Sequence, residues 1–450
     1  MGAIDLFIYG TQRINQEGHL EIGGCDTVAL AKEYGTPLYV IDEEAVRQKC
    51  RDYVGSFQAH WDHVDVAYAS KAFMIGRMVQ LVREEGMSLD VVSEGELRLA
   101  LWAGAPASRI TFHGNYKTAD EIKLAVASGV RTLVVDCLEE VQLIELEARS
   151  QGKLQAVDVR LNLGINVYSD PKYTTGHLES KFGLTIHDGA AHRAIEAILQ
   201  SASLMLRGIH FHLGSQIQDV KYHQQALEQL AAFIQDVTGA YGWKPSSITM
   251  GGGMGVNYSG HATPPTPRQW ADGVMPVFRE KVAPLCEEGV VFGIEPGRSV
   301  VAEYGTTLYT VGPIKSVPES QDVRAFLSID GGLSDNPRPI MYEAHHHVLA
   351  AACPGSEGND LKPVRIFGRH CETDMMMERV HLPEVATGDV LAVQCTGAYT
   401  YAMSNHYNRF MRPAVVFVRE GQSRLAIRRE TFEDSIRTEM MGEVMSYESR

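Results

Sequence analysis

Hydrophobic positions along the chain follow two alternating patterns, one typical of short buried strands and one typical of amphipathic helices. Eight short runs are rich in Val, Ile and Leu and end in polar or glycine residues. These predicted strands are VDVAYAS (64–70), MSLDVVS (87–93), RITFHGN (109–115), TLVVD (132–136), AVDVRLNL (156–163), LRGIHFHLGS (206–215), SITMGGG (247–253) and VVFGIEPGR (290–298). Helical periodicity separates them, for example at 119–128, 138–149 and 222–241. This alternation predicts an α/β fold, a (β/α)8 TIM-like barrel.

The pattern changes after Arg298. Short alternating runs broken by Gly, Pro and Asp predict a C-terminal all-β domain. They lie at 300–318, 325–330, 364–367, 389–394, 414–419 and 423–429. Two similar runs, 6–9 and 19–22, lie near the start of the chain, so we expect the first segment to pair with this domain. The expected organisation is an N-terminal segment over 1–40, a barrel over 41–299 and a β-domain over 300–450.

Polar residues gather at the ends of the predicted barrel strands, where barrels keep their active sites. Lys71 follows the first of these strands. A lysine buried there is costly unless it is paired or its pKa falls, and its obvious use is to form an imine. A lone lysine in this place would more often be a surface residue, so the interpretation depends on its companions. We expect Lys71, His212, Gly251–Gly253 and Glu295 to meet at one barrel mouth.

Composition limits the classes of function. The chain has 450 residues, 44% of them hydrophobic, which is enough for a barrel and a second domain. Its net charge of −15 argues against nucleic acid or an anionic membrane as a partner. The seven cysteines are odd in number and contain no C-x-x-C, so neither a disulfide framework nor a zinc site is predicted.

Two further features bear on location and on metals. The start MGAIDLFIYG has no basic n-region, and no apolar stretch approaches the ~20 residues of a membrane span, which favours a cytoplasmic enzyme. The run His345-His346-His347 is predicted to be a partly exposed helix or loop, and no metal is expected.

An ordered series of segments resembles the pyridoxal-phosphate-dependent diaminopimelate decarboxylases, which have the alanine-racemase-like barrel fold. The segments are YGTPLYVID (34–42), YASKAF (68–73), SKFGL (180–184), HFHLGSQI (210–217), GGGMGVNY (251–258), EPGRS (295–299), DNPRPIMY (335–342), HCETD (370–374), GAYTYAMSNHYN (397–408) and RRETFED (428–434). The series spans nearly the whole chain and is specific as an ordered set. It implies a lyase that converts meso-2,6-diaminopimelate to L-lysine and CO2, the last step of lysine biosynthesis.

The resemblance also assigns roles around pyridoxal 5'-phosphate. Lys71 is the catalytic lysine that binds the cofactor covalently, and Glu295 keeps the ring nitrogen protonated, which favours a deep electron sink. His212 matches the imidazole that stacks on the ring. The residues matching the phosphate cradle are Ser215, Gly251, Gly252, Gly253, Gly297, Arg298 and Tyr399. Asp90 and Arg160 match polar residues near the cofactor, although each could equally belong to a buried ion pair.

Diaminopimelate carries an amino-carboxylate at each end, so the pocket must hold a second zwitterion beyond the reacting D-centre. The residues assigned to substrate binding are Arg298, Arg338, Tyr342, Glu372 and Tyr399. Among them, guanidinium groups suit the distal carboxylate and Glu372 suits the distal amino group. Cys371 matches the catalytic cysteine that takes part in protonating the decarboxylated carbon. The family supplies Cys371 and Glu372 across an interface, which implies a homodimer with shared active sites.

One segment departs from the family. The usual sequence is C-E-S-x-D, whereas this chain has Cys371-Glu372-Thr373-Asp374 and then three methionines, so the loop is one residue short. The role of Asp374 is left open, and the methionines are predicted to pack in a loop. The departure keeps an alternative open, a decarboxylase of the same fold for another basic amino acid or a carboxylated polyamine. An inactive regulatory binding protein is least favoured, because such relatives usually lose Lys71, Glu295 or Cys371.

Overall fold

The structure is a computed structural model that describes residues 7–167, 180–258, 262–317, 322–352 and 361–440. The chain divides into two compact units. The first contains residues 1–41, 306–394 and 403–450, and the second contains residues 42–305 and 395–402. Leu6 and Pro318, which belong to predicted strands, lie outside the described residues.

The chain begins in the first unit with a small antiparallel sheet of three strands. The strands of this sheet are β1 (Arg13–Ile14), β2 (Leu20–Ile22) and β3 (Cys25–Asp26). They are followed by α1 (Thr27–Tyr34) and β4 (Leu38–Asp42). The strand predicted at 6–9 is wrong for its described residues, because residues 7–9 form no strand. Instead Tyr9 starts a turn in which its own N–H donates to Gln12 Oε1 and its carbonyl accepts from Gln12 N–H.

The second unit contains the barrel. Its helices and strands are α2 (Glu43–Gln58), β5 (Val64–Ala69), α3 (Gly76–Glu84), β6 (Ser88–Val91), α4 (Glu94–Trp102), β7 (Ile110–Phe112), α5 (Ala119–Ser128), β8 (Thr132–Val135), α6 (Leu138–Ser150), β9 (Gln155–Asn162), β10 (Leu184–Thr185), α7 (Ala190–Gln200), β11 (Leu204–Phe211), α8 (Lys221–Tyr241), β12 (Ser247–Thr249), α9 (Pro267–Val277), β13 (Val291–Ile294) and α10 (Arg298–Val301). In the described chain, β5 to β9 and β11 to β13 are parallel neighbours, and β13 pairs with β5 to close an eight-stranded barrel. The predicted (β/α)8 fold is confirmed.

The strand ends position the polar residues. Lys71 lies in a 3-10 turn, Ser70–Ala72, directly after β5, and His212 directly follows β11. Glu295 directly follows β13. Because the carboxyl ends of parallel barrel strands share one rim, residues that are far apart in sequence meet there.

The chain then returns to the first unit, which forms a second large sheet and confirms the predicted all-β region. Its elements are β14 (Gly305–Ser316), β15 (Ala325–Ile329), α11 (Arg338–Tyr342), β16 (Val348–Ala350), β17 (Lys362–Phe367), β18 (Met375–Leu382), β19 (Val390–Val393), β20 (Ala414–Arg419), β21 (Gln422–Ile427) and α12 (Phe432–Ile436). The strand order is β18-β17-β15-β14-β4-β20-β21, with β19 paired to both β14 and β16. Across the described ranges, every helix is too short or too polar to cross a membrane.

The prediction for the three methionines is wrong. Met375 begins β18, and Met376 and Met377 are 1% and 5% exposed in a core that includes Ile366 and Leu391. Three consecutive apolar residues carry no period-two alternation, so the strand signal was missing at that point. The histidine run is a loop, as predicted, although His346 is buried.

Candidate active site

A cavity of about 460 Å³ opens at the carboxyl ends of the barrel strands. The predicted site residues that line it are Lys71, Asp90, Arg160, His212, Ser215, Gly252, Gly253, Glu295, Gly297, Arg298 and Tyr399. Gly251 adjoins this wall without lining it. The other four predicted residues, Arg338, Tyr342, Cys371 and Glu372, belong to the first unit.

Lys71 is paired with a buried carboxylate. Its Nζ lies 3.6 Å from Asp90 Oδ2, and the Asp90 side chain is only 2% exposed. Burial lowers the pKa of Lys71, but attraction to Asp90, and then to Tyr399 and Glu295, outweighs that effect and raises the pKa. The turn carrying Lys71 is fixed from a distant part of the sequence, because Tyr399 N–H donates to Ala72 O at 2.8 Å.

Glu295 is held between two imidazoles. Its Oε2 lies 2.9 Å from His210 Nε2 and its Oε1 lies 2.9 Å from His113 Nε2, and all three residues are buried. Burial alone would raise the pKa of Glu295, but His113 and His210 hold that pKa well below its usual range. Burial lowers the pKa of His210 to about 4. For His113, burial is outweighed by Asp90 and Glu295, which raise the pKa. The Glu295 carboxylate is therefore ionised, the His113 ring favours its cationic form, and the His210 ring is neutral.

His113 and His210 were not among the predicted site residues. A signal for His210 is present in the sequence HFH, because residues two apart on a strand face the same side and His210 therefore shares the direction of His212. His113 follows β7 directly, at the end of the run RITFHGN. His113 therefore lies at a strand end, which is the same sequence signal that marks Lys71.

His212 provides a neutral ring at the cavity. Burial, followed by the positive charges of Lys71 and Arg160, holds its pKa well below the usual range. Its Nδ1 accepts a hydrogen bond from Gly252 N–H at 3.3 Å. An uncharged imidazole fixed in this way suits stacking on an aromatic ring.

Asp90 and Arg160 form ion pairs with different partners. Asp90 pairs with Lys71, whereas Arg160 Nε lies 3.8 Å from Asp136 Oδ2. The Arg160 guanidinium also lies 4.6 Å from the centre of the Phe182 ring. Both residues nevertheless line the cavity, so their ion pairs leave open the position near the cofactor that the resemblance implies.

Arg298 forms one wall of the cavity. Its Nε and Nη2 donate to Ser215 Oγ at 3.2 and 3.0 Å, and its Nη1 donates to the Tyr258 hydroxyl at 2.6 Å. The guanidinium lies 4.6 Å from the centre of the Tyr399 ring. These contacts fix a cation beside the glycine-lined part of the cavity.

The glycines beside it have no room for a side chain. A Cβ on Gly252 would lie 2.1 Å from Glu295 O, and a Cβ on Gly253 would lie 2.2 Å from Gly214 O. Gly253 also has φ +98°, a conformation that favours glycine. Tight backbone packing accounts for glycine at both positions, and a backbone without side chains is also what the close approach of an anion requires. An amine, an ionised carboxylate, a neutral imidazole and a glycine-lined corner with a cation together fit pyridoxal phosphate.

The predicted residues of the first unit have a different setting. Cys371 and Glu372 are exposed, Cys371 N–H donates to Asn408 Oδ1 at 2.9 Å, and Glu372 Oε1 accepts from the Tyr407 hydroxyl at 2.9 Å. Arg338 is buried. Its guanidinium lies 5.4 Å from the centre of the Tyr342 ring, so Arg338 and Tyr342 adjoin each other on α11.

Comparison with known proteins decides the family. Residues 43–302 match the family model described as pyridoxal-dependent decarboxylase, pyridoxal binding domain. The diaminopimelate decarboxylase of Bacillus subtilis (strain 168) is 42% identical over 436 residues, which cover 97% of this chain and 98% of that protein. The chain belongs to the diaminopimelate decarboxylase family. It is a pyridoxal-phosphate-dependent carboxy-lyase, which confirms the predicted cofactor and enzyme class.

Solved structures agree with this family. The diaminopimelate decarboxylase of M. jannaschii in co-complex with L-lysine has a TM-score of 0.88 and 33% identity, covering 96% of this chain and 98% of that chain. The lysine/ornithine decarboxylase of Vibrio vulnificus complexed with cadaverine has a TM-score of 0.74 and 23% identity, and the match covers 87% of this chain and 97% of that chain. The second likeness shows the shared fold alone.

Proposed function

We propose that this enzyme removes CO2 from the D-centre of meso-2,6-diaminopimelate and releases L-lysine, as the last step of lysine biosynthesis. The observation that carries the proposal is that Lys71, Glu295 and His212 line one barrel cavity together with a corner formed by glycines. The near-full-length likeness to diaminopimelate decarboxylases supports the choice of substrate.

The residues of the cavity have distinct roles in this proposal. Pyridoxal phosphate, when bound, supplies an electron sink for the pair left at Cα when the carboxylate departs. Lys71 binds the cofactor covalently through its amine, and Asp90 holds that amine in place. Glu295 keeps a proton on the ring nitrogen, because its imidazole partners keep it ionised. His212 covers one face of the ring.

The phosphate and the substrate are held by the remaining residues. Those proposed to bind the phosphate are Ser215, Gly251, Gly252, Gly253, Gly297, Arg298 and Tyr399, with Arg160 near the cofactor. Those proposed to bind the distal end of the substrate are Arg298, Arg338, Tyr342, Glu372 and Tyr399. Cys371 delivers a proton from its thiol to Cα after CO2 has left. We propose that Cys371 and Glu372 come from the second subunit of a homodimer, and that the enzyme is cytoplasmic.

A second candidate function is the decarboxylation of another basic amino acid or of a carboxylated polyamine. One observation favours it: the loop carrying Cys371 and Glu372 is one residue shorter than the family's C-E-S-x-D. A loop of different length changes the distance available for the distal end of a substrate. The inactive regulatory binding protein, least favoured from the sequence, is no longer a candidate, because the chain belongs to a family of carboxy-lyases and Lys71, Glu295 and Cys371 are all present.

Steady-state assays with the purified holoenzyme separate these candidates. The panel is meso-diaminopimelate, D-lysine, L-lysine, L-ornithine, L-arginine and a carboxylated polyamine, with each product identified by mass. We expect kcat/KM for meso-diaminopimelate to exceed the others by at least ~10³-fold, because buried polar groups reject analogues that leave them unpaired. A higher kcat/KM for another substrate would establish the second candidate. Bound cofactor without CO2 release from any substrate of the panel would overturn both candidates.

A further inference from the structure

Asp374 is buried in the turn that follows Cys371 and Glu372, with 1% of its surface exposed. Its Oδ1 accepts from Leu333 N–H at 2.8 Å, and its Oδ2 accepts from His370 N–H at 3.0 Å. A Cβ on Gly368 would lie 1.9 Å from Asp374 Oδ2, and a Cβ on Gly332 would lie 2.3 Å from it. The carboxylate therefore fills a space that two glycines keep open.

The His370 ring connects the same two stretches of chain. Its Nδ1 lies 2.5 Å from Asp374 Oδ2, and its Nε2 lies 3.3 Å from Ser334 N. A backbone N–H can only donate, so Nε2 is the acceptor and the hydrogen is on Nδ1, which donates to Asp374. The ring also packs edge-on against Phe410 with centroids 4.7 Å apart.

These contacts join two segments of the first unit. Residues 331–335 lead into α11, which begins at Arg338. Residues 368–374 carry Cys371 and Glu372. Asp374 bonds to the first segment through Leu333, and His370 bonds to it through Ser334. Within one chain, the segment leading to Arg338 and Tyr342 and the segment carrying Cys371 and Glu372, which is proposed to act at the partner's cavity, are thus attached to one buried network.

We infer that Asp374 and His370 are a positioning pair, which fixes the segment leading to Arg338 against the segment carrying Cys371 and Glu372. This explains the residue whose role the sequence left open. What the positioned groups do rests on the proposed function, whereas the coupling of the two segments is a property of the fold. A carboxylate is required at 374, because its three hydrogen-bond partners among the described residues, Leu333 N–H, His370 N–H and His370 Nδ1–H, are donors. An amide there would turn an NH2 group toward one of those donors.

Hydrogen exchange tests the coupling without any substrate. In the holoenzyme, Asp374→Asn should speed amide exchange by at least about tenfold in both 331–335 and 368–374, because the lost bonds are worth about one such factor each. The control is Asp389→Asn, since Asp389 is an exposed turn residue of the same unit whose carboxylate accepts from Ala386 N–H at 2.7 Å. The control should leave both segments protected. Faster exchange in only one segment, or in neither, overturns the inference.

Two further variants address folding and fit. His370→Gln keeps Asp374 and its bond to Leu333, so it should give the same pattern with a smaller effect and serves if Asp374→Asn does not fold. Asp374→Glu should not restore protection, because Gly332 and Gly368 leave no space for a longer side chain. Full protection in Asp374→Glu would show that the space between the glycines does not fix the carboxylate, and would count against the inference.

Inhibition constants test the functional consequence. L-lysine keeps the distal amino-carboxylate of diaminopimelate but lacks the carboxylate at the reacting end, whereas D-lysine lacks the distal carboxylate. In Asp374→Asn the L-lysine constant should rise roughly tenfold and the D-lysine constant by at most about threefold, as expected for one misplaced contact. A purely structural role would reduce the amount of active enzyme without changing either constant. Unchanged constants, or equal changes in both, overturn the role in recognition. A wild-type enzyme that binds no L-lysine refutes the proposed function, while hydrogen exchange still decides the coupling.

Discussion

The barrel cavity and the loop at 370–374 arrange their charged side chains in opposite ways. In the cavity, the charged groups proposed to meet the cofactor are paired with buried side chains. Lys71, whose side chain is 45% exposed, pairs with the buried Asp90, and the buried Glu295 pairs with two buried histidines. In the loop, Asp374 is buried, and the groups proposed to meet the substrate, Cys371 and Glu372, are exposed. In the cavity, the charged groups are already held by ion pairs before a substrate binds. In the loop, Cys371 and Glu372 are exposed to solvent beside the buried carboxylate of Asp374.

The strongest way to break this contrast is to remove the amine from the cavity. Lys71→Ala should lower turnover by at least ~10³-fold, because the covalent attachment of the cofactor is lost. Borohydride reduction and peptide mapping of the wild type should locate the pyridoxyl group on Lys71. The exposed Lys123→Ala is a matched control that should keep both label and turnover. A label on another lysine would mean that this cavity is not the site of attachment.

The next largest effect concerns the carboxylate between the histidines. Glu295→Gln should leave cofactor bound through its phosphate but lower turnover by at least ~10²-fold, because a neutral amide no longer keeps the ring nitrogen protonated. Turnover and cofactor absorbance should be measured together, with the exposed Glu287→Gln as the control. Unchanged turnover in Glu295→Gln would show that the carboxylate does not face the ring.

Subunit exchange tests whether the exposed Cys371 acts at the cavity of the other chain. Lys71→Ala and Cys371→Ala are each expected to be inactive, and mixing them should restore activity. In a mixed dimer one site has both residues intact and the other has neither. Random exchange of equal amounts makes about half of the dimers mixed, so activity should approach about a quarter of the wild type. No recovery after verified exchange would place both residues in a site formed by one chain.

The smallest expected effect is on stability as a function of pH. The folded-state pKa of His210 is about 4, below its unfolded value of ~6.5, so the unfolded chain binds more protons between those values. Lowering the pH through this window should reduce the unfolding free energy of the apoenzyme by about 1.4 kcal/mol per pH unit from this group. His113 has the opposite sign, because its raised pKa gives stability below ~6.5 that is lost as the pH rises through the folded value.

Urea unfolding at several pH values between 4 and 6.5 measures this difference. His210→Gln should lose stability less steeply than the wild type as the pH falls. Parallel curves for the two proteins would mean that His210 does not stay neutral in the folded cavity, and the paired electrostatics described for Glu295 would need revision.

The barrel was predictable from the sequence because its signals are local. Each strand is a short apolar run with a polar or glycine end, and α5 matches its predicted range, 119–128, because a capping box joins Thr118 to Glu121 at its start and Gly129 ends it in the left-handed region. Lys71 and Glu295 were predictable for the same reason, because each directly follows such a run and the strand ends share one rim. Those residues line one cavity in the structure.

What could not be predicted depends on contacts between distant residues. His113 and His210 matter because both reach Glu295, and no local pattern encodes a contact across the barrel. Asp374 is a clearer case, because its partner Leu333 lies 41 residues away and its space is made by glycines on two segments. The prediction for the methionines of β18 was wrong for a different reason, because consecutive apolar residues hide the alternation that marks a strand.

The segment 395–402 has a consequence for how the protein is made. It belongs to the barrel unit, although the remainder of that unit ends at Gly305. Its Tyr399 bonds to Ala72 and lines the cavity, so a ribosome must add just over a hundred residues after Ile294, the end of the last barrel strand, before the cavity wall is complete. At a translation rate of about 5–20 residues per second, synthesis of segment 395–402 follows that of the last barrel strand by on the order of 5–20 s. A cofactor that loads during synthesis would therefore meet a cavity lacking one wall, and a gene fragment ending at Gly305 would encode only that unfinished form.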